Sequence, residues 1–333
     1  CDPDGPACVC DDGFHDEDLR CVMDACAGDD CPTMTVSDWQ ALFDAHWTET
    51  DQADCEARAA SGGADQEHYF LAYCIDGLVS MWRATDDDAY LDTTLALIDD
   101  TIADARARAD GYLYWPGPYE GNTYPLWDSY YWRIVATLVR LLDDAPDVRA
   151  RGDYQAQYEA LLEFTERHLW DKWLEGDWGG SGNFYRSRTH MASHWDRIGL
   201  ELHEVTGEAA YLDVFDRISS GEMPGRPSNL DNQFAPNPDH PAAYVWSSEW
   251  NATPGAGTVQ DTSHAGAIVS FISTAVELGQ YWTNDDLDAL SETMTAVERG
   301  IPDDGGYHRN VDGTTDAGDM PYAVGGGLGG RMH

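Results

Sequence analysis

Basic side chains are scarce in this sequence: 19 Lys and Arg stand against 61 Asp and Glu, and Lys172 is the only lysine. The resulting formal charge of −42 repels phosphate backbones and anionic bilayers, which excludes nucleic acid and membrane surfaces as partners. Long apolar runs are also lacking, so no membrane-spanning helix is expected. No His-Cys zinc spacing occurs, and His190 and His194, four residues apart, lack the following Glu of a zinc-protease motif. Cysteine, by contrast, is concentrated: six of eight (Cys1, Cys8, Cys10, Cys21, Cys26 and Cys31) fall in the first 31 residues, with Cys55 and Cys74 further in. An even number in a dense cluster points to disulfides and an oxidising compartment, hence a secreted or cell-surface protein, with Cys1 as a candidate lipid attachment point. A carboxylate-rich surface keeps such a protein hydrated in a salty medium.

The texture changes near Val36, which divides the chain into a disulfide-rich segment, 1–34, and a helical domain, 35–333. Helical periodicity predicts four pairs: 67–83 with 90–108, 126–143 with 154–169, 190–204 with 209–219, and 262–281 with 284–299. In each pair the leading helix is the more apolar, as in Ile134, Val135, Leu138, Leu141 and Leu142, and the trailing helix carries more charge. That contrast predicts an inner ring of buried helices inside an outer ring. An internal echo supports repetition: Thr85-Asp-Asp-Asp-Ala89-Tyr90-Leu91-Asp92 recurs as Thr206-Gly-Glu-Ala-Ala210-Tyr211-Leu212-Asp213, each at the turn from a leading to a trailing helix.

Two resemblances follow from these residues. Cys8-Val9-Cys10-Asp11-Asp12-Gly13-Phe14, with Cys21 beyond it, resembles the C-terminal half of an epidermal-growth-factor-like module, which implies a stalk or spacer. The hairpins with Tyr-Leu turns resemble the α/α-toroid of many polysaccharide lyases and some glycoside hydrolases. The resemblance implies an all-α fold, an incomplete α/α-toroid, because four pairs plus the helical stretch near Trp39 to Ala60 fall short of the usual six or seven. The glycine-rich ending, Gly325 to Gly330, fits either an open ring or a fragment.

In such rings the substrate lies at one end, among inner-helix starts and the long loops. Three loops here are rich in aromatics, and Trp115, Trp195, Tyr244, Trp246 and Trp250 are candidates to stack on sugar faces, with the packing of loops onto the array as the plainer role. Arg188 and His190 belong to a positive island that also holds Arg186, His194 and Arg197, suited to an anionic ligand or to ion pairing with neighbouring carboxylates. His68, in the first leading helix, joins these substrate-binding candidates. His264 opens a helix in Asp261-Thr262-Ser263-His264-Ala265-Gly266, a start that resembles a pattern in uronate-acting toroid enzymes whose His faces the groove.

The resemblance implies a secreted lyase that cleaves an acidic polysaccharide such as alginate or glucuronan by β-elimination. That reaction needs a group to offset the carboxylate charge, for which Asn251, Arg188 and Arg309 are candidates, a base (His194 or His264) and an acid (Tyr307 or Tyr244). The alternative is a glycoside hydrolase drawing two carboxylates from Asp128, Asp196, Glu249 and Asp261. A third possibility is a glycan-binding surface protein without catalysis. No cofactor is required for any of the three, and calcium is the candidate structural ion for Asp312, Asp316 and Asp319.

Overall fold

Leading helices that are apolar all round have to be buried, and they are. A computed structural model of the protein describes residues 14–17, 20–23, 35–61, 65–117, 124–298, 306–315 and 322–323. After a two-stranded antiparallel hairpin, β1 (Phe14–Glu17) with β2 (Arg20–Met23), the chain is helical. The helices are α1 (Val36–His46), α2 (Gln52–Ala59), α3 (Glu67–Thr85), α4 (Asp88–Ala103), α5 (Pro125–Asp143), α6 (Pro146–Arg149), α7 (Tyr154–Phe164), α8 (Lys172–Glu175), α9 (Thr189–Thr206), α10 (Ala209–Ser219), α11 (Thr262–Glu277) and α12 (Asn284–Glu292). Short antiparallel pairs brace the loops: β3 (Arg106–Ala107) with β4 (Leu113–Tyr114), β5 (Ala235–Pro236) with β6 (Tyr244–Val245), and β7 (Gly306–Tyr307) with β8 (Tyr322–Ala323).

The four expected hairpins are present, and their order in space makes this an incomplete α/α-toroid. The inner helices α3, α5, α9 and α11 pack on one another in sequence, and α4, α7, α10 and α12 flank them as the outer partners. The core between the layers is heavily aromatic, with Trp132, Trp195, Trp115 and Phe271 fully enclosed. A disulfide from Cys55 to Cys74 fastens α2 to α3. Pairing among the six N-terminal cysteines, the expected division at 34 and 35, the Gly325 to Gly330 segment, Asp316 and Asp319 all lie outside the described residues. Among the described residues no helix is long and apolar enough to cross a membrane.

Two boundaries differ from expectation. The trailing helix predicted over 90–108 stops at Ala103, because Arg106–Ala107 is drawn into β-pairing with Leu113–Tyr114 across a turn at Gly111 (φ 88°). The helix predicted to reach residue 281 stops at Glu277, followed by the left-handed Gly279 (φ 67°).

The sequence echo is a repeated turn. Thr85 and Thr206 each return a hydroxyl bond of 2.7 Å to the carbonyl four residues back, Met81 and Leu202. The next residue, Asp86 (φ 55°) or Gly207 (φ 71°), is left-handed and donates its N–H to Trp82 or His203. The tyrosine of each echo then reaches out of the hairpin, Tyr90 to Asp44 at 2.5 Å and Tyr211 to Glu166 at 2.9 Å.

Candidate functional site at the ring axis

The four inner helices run side by side and enclose a cavity of about 180 Å³ on the ring axis. Tyr69 and Tyr73 of α3, Tyr130 and Arg133 of α5, His190 and His194 of α9, and Ser263 and His264 of α11 face into it. Each lies in the first half of its helix, so the cavity sits at the N-terminal end of the ring, where free backbone N–H groups and helix dipoles favour negative charge.

The chemistry begins at the start of α11. Asp261 is its N-cap, accepting from the backbone N–H of His264 at 3.2 Å, and the same oxygen lies 2.7 Å from His264 Nδ1. Ser263 donates its hydroxyl to that carboxylate as well. Burial pushes the Asp261 carboxyl up, but the hydrogen bonds from His264 and Ser263 and the charge interaction with the His264 and His190 imidazoles together hold it at about 2. A charged Asp261 therefore fixes the proton on Nδ1 and leaves Nε2 of His264 as the basic nitrogen. The His264 side chain is 42% exposed, so that nitrogen is open to a ligand.

His190 stacks on His264 with ring centroids 4.3 Å apart. Burial, and then the neighbouring imidazole, push its pKa down to about 3, so it stays neutral. His194, below it, is buried and held far below the ordinary imidazole range by desolvation and then by Arg133. Its Nδ1 lies 3.1 Å from an Arg133 Nη, and a guanidinium only donates, so Nδ1 accepts and the His194 proton sits on Nε2.

Arg133 is the charge of the site. It is 8% exposed, lies 4.3 Å over the Tyr130 ring, and has an unpartnered Nε. It makes no ion pair among the described residues, whereas Arg140, two turns further along the same helix, pairs with Glu201, Glu277 and Asp144. Beside it the Tyr130 hydroxyl donates to Tyr73 at 2.7 Å, and Tyr69 stacks on Tyr130. Burial raises both Tyr73 and Tyr130, which keeps these phenols protonated.

Of the residues singled out in the sequence, His190, His194 and His264 come together here. The others are placed elsewhere. Trp115, Trp195, Trp246 and Trp250 do not line a groove; they are core residues, at most 7% exposed, because large rings are worth most when removed from water. Trp115 and Trp250 spend their indole N–H groups on the carbonyls of Thr101 and Arg186. His68 is likewise buried, stacked on Tyr131 and 3.3 Å from Asp128. Arg188 is tied to Glu249 at 2.7 Å and to Ser248. Asn251 uses its amide nitrogen on Ser247, Glu249 and Ala256, clamping a turn. Tyr244 donates to Asp286. Tyr307 faces a different cavity, behind α11, with Val269, Leu287 and Met294. Arg309 contributes its backbone, accepting from the N–H of Thr262 at 2.7 Å and thereby anchoring the start of α11.

Among the carboxylates proposed for hydrolysis, Asp128 is sealed against Lys172 and Trp173, and Asp196 is fully buried beside Ser219 with its pKa far above the usual carboxylate range, chiefly through burial. Only Asp261 adjoins the cavity, through His264. Asp312 accepts from the N–H and hydroxyl of Thr314. No cluster of three His, Cys, Asp or Glu able to hold a metal occurs among the described residues.

The sequence reading passed over Arg133, Asp76 and the three tyrosines. Their signal was present as spacing: Tyr69, Tyr73 and Asp76, and Leu126, Tyr130 and Arg133, recur at i, i+4 and i+7. That places polar tips in one stripe of otherwise buried helices.

No protein-family model and no curated protein matches the chain. Among solved structures it is similar to the GH76A α-1,6-mannanase of Salegentibacter sp. HEL1_6, at 13% identity and a TM-score of 0.40, covering 81% of this chain and 72% of that one. It is also similar to the Lin0763 protein of Listeria innocua, at 14% identity and a TM-score of 0.41, over 88% of this chain and 80% of that one. An inactive variant of the Salegentibacter mannanase in complex with α-1,6-mannotetrose is similar over 80% of this chain and 86% of its own, at 11% identity and a TM-score of 0.33.

Proposed function

We propose that this chain is an extracellular carbohydrate-active enzyme whose catalytic centre is the axial cavity of the toroid, and that it cleaves an acidic glycan by β-elimination. The observation that carries the reading is Arg133, a buried guanidinium without a carboxylate partner among the described residues, beside a base and two phenols. A uronate carboxylate placed on Arg133 loses the charge that otherwise keeps its C5 proton unreactive. His264 Nε2, left free to accept because Nδ1 bonds Asp261, takes that proton. The electron pair forms the C4–C5 double bond, the C4–O4 bond breaks, and the departing oxygen receives a proton from Tyr130 or Tyr73. No water is consumed and no cofactor is needed. The Cys55 to Cys74 disulfide supports an oxidising, extracellular setting.

Hydrolysis is the second reading, and Asp76 favours it: this carboxylate lines the cavity and can act with Asp261 as an acid and base pair. The test incubates the protein with alginate, glucuronan, ulvan, pectate and α-1,6-mannan, and follows ultraviolet absorbance of an unsaturated uronate alongside reducing ends. Both signals rising on one polymer support elimination. Reducing ends without absorbance move the chemistry to Asp76 and Asp261, and silence on every polymer removes the enzymatic reading.

A further inference from the structure

The far end of the ring axis is not open. Arg197 donates to Ser270 on the cavity floor at 2.6 Å and to Thr137, and Thr137 and Arg140 both bond Glu201 at 2.5 Å. Arg140 continues to Glu277, which Arg83 also reaches at 3.0 Å. These groups come from α9, α5, α11 and α3, so one hydrogen-bonded layer knots all four inner helices across the axis. Glu201 is fully buried and Arg140 and Arg197 nearly so, which makes the layer a plug. Above it the cavity is only about 180 Å³, below the range of roughly 300–1,000 Å³ usual for larger ligands. His264 stands at the mouth, in the first turn of α11, while Asp76 and Ser270 lie further along their helices toward the plug.

We infer that the axial cavity is a blind well that takes the terminal unit of a glycan chain, so that cleavage is restricted to chain ends. This deepens the proposed function and rests on it for the word cleavage, but the well itself is a claim about binding. A through-going chain has no exit past Arg197 and Glu201. A terminal sugar fills the well and leaves the bond to its neighbour at the level of His264.

The experiment has a kinetic arm and a binding arm. Defined oligomers of the responsive polymer are digested and early products are identified by mass spectrometry, with viscosity followed on the intact polymer. The smallest product appearing first from every length, with slow loss of viscosity, is the expected result. Mixed lengths with rapid loss of viscosity would overturn the inference. In parallel, oligoglucuronates, oligomannuronates and α-1,6-mannose oligomers, with free ends or with one end blocked by a bulky group, are titrated calorimetrically. Blocking the end that enters should weaken binding at least tenfold; equal affinity with either end blocked would refute the well. Binding of free ends without cleavage would sink the enzymatic reading and keep the well, and no binding at all would overturn both. Ala267→Leu, which fills the floor without touching the Arg197 bond to Ser270, should abolish binding while the far-ultraviolet circular dichroism spectrum stays that of the folded parent, and binding retained by that folded variant would overturn the well.

Discussion

Asp261 has two duties that a single substitution separates. As N-cap it satisfies a backbone donor of α11, and as the partner of His264 it sets the imidazole's tautomer. Asparagine caps a helix as well as aspartate does but does not hold the ring by charge. Asp261→Asn is therefore expected to lower kcat by about 10²-fold or more while leaving the melting temperature within a few degrees of the parent. A stable but equally active variant would remove His264 from the role of base. Glu298, buried behind this corner, makes a contrary contribution. Burial, and then the charge of Asp261, push its pKa up to about 8 from an ordinary 4.5. The folded state thus holds a proton that the unfolded chain releases. The stability this group contributes is present below its unfolded pKa and is lost as pH rises toward about 8. Glu298→Gln should raise the unfolding midpoint at pH 8 and leave it unchanged at pH 4, as scanning calorimetry at the two pH values can establish; an equal shift at both would show that the carboxyl does not titrate in this way.

At the scale of elements, the repeated turn after α3 and α9 is solved with two different residues. Gly207 takes its left-handed conformation without steric cost, whereas Asp86 takes it with a β-carbon. Asp86→Gly is expected to stabilise the protein by about 0.5–1 kcal/mol, read as a higher urea midpoint with an unchanged slope. A lower midpoint would mean that the Asp86 side chain contributes something the turn needs. The same comparison shows what was legible in the sequence. Apolar periodicity predicted the hairpins because it reflects how much of each helix must be buried. The ends at Ala103 and Glu277 were not predicted, because β-pairing of Arg106–Ala107 and the left-handed Gly279 are local events that periodicity does not register.

For the molecule as a whole, −42 formal charges with few compensating bases mean strong self-repulsion in the folded state. Salt screens exposed charges over about 8 Å at physiological ionic strength and about 3 Å at 1 M. The unfolding temperature should therefore climb as sodium chloride rises from low to molar concentration, and the apparent affinity for an anionic glycan should improve over the same range. A melting temperature that falls with salt would indicate that surface ion pairs outweigh the repulsion.

The sequence by itself determined the hairpins, their inner and outer ranking, the repeated turn, and the shared helix face of His190 and His194. These depend on spacing along one helix, which the chain carries in its order of residues. Only the tertiary structure decided which polar groups meet across helices. It buried Trp115, Trp195, Trp246 and Trp250 in the core, tied Arg188 to Glu249, turned Tyr307 away, and left Arg133 facing the cavity with no ion pair among the described residues. The physical reason is that an aromatic ring or a guanidinium has the same character in the sequence whether it is buried, paired or exposed. Its role is set by neighbours that fold in from distant parts of the chain.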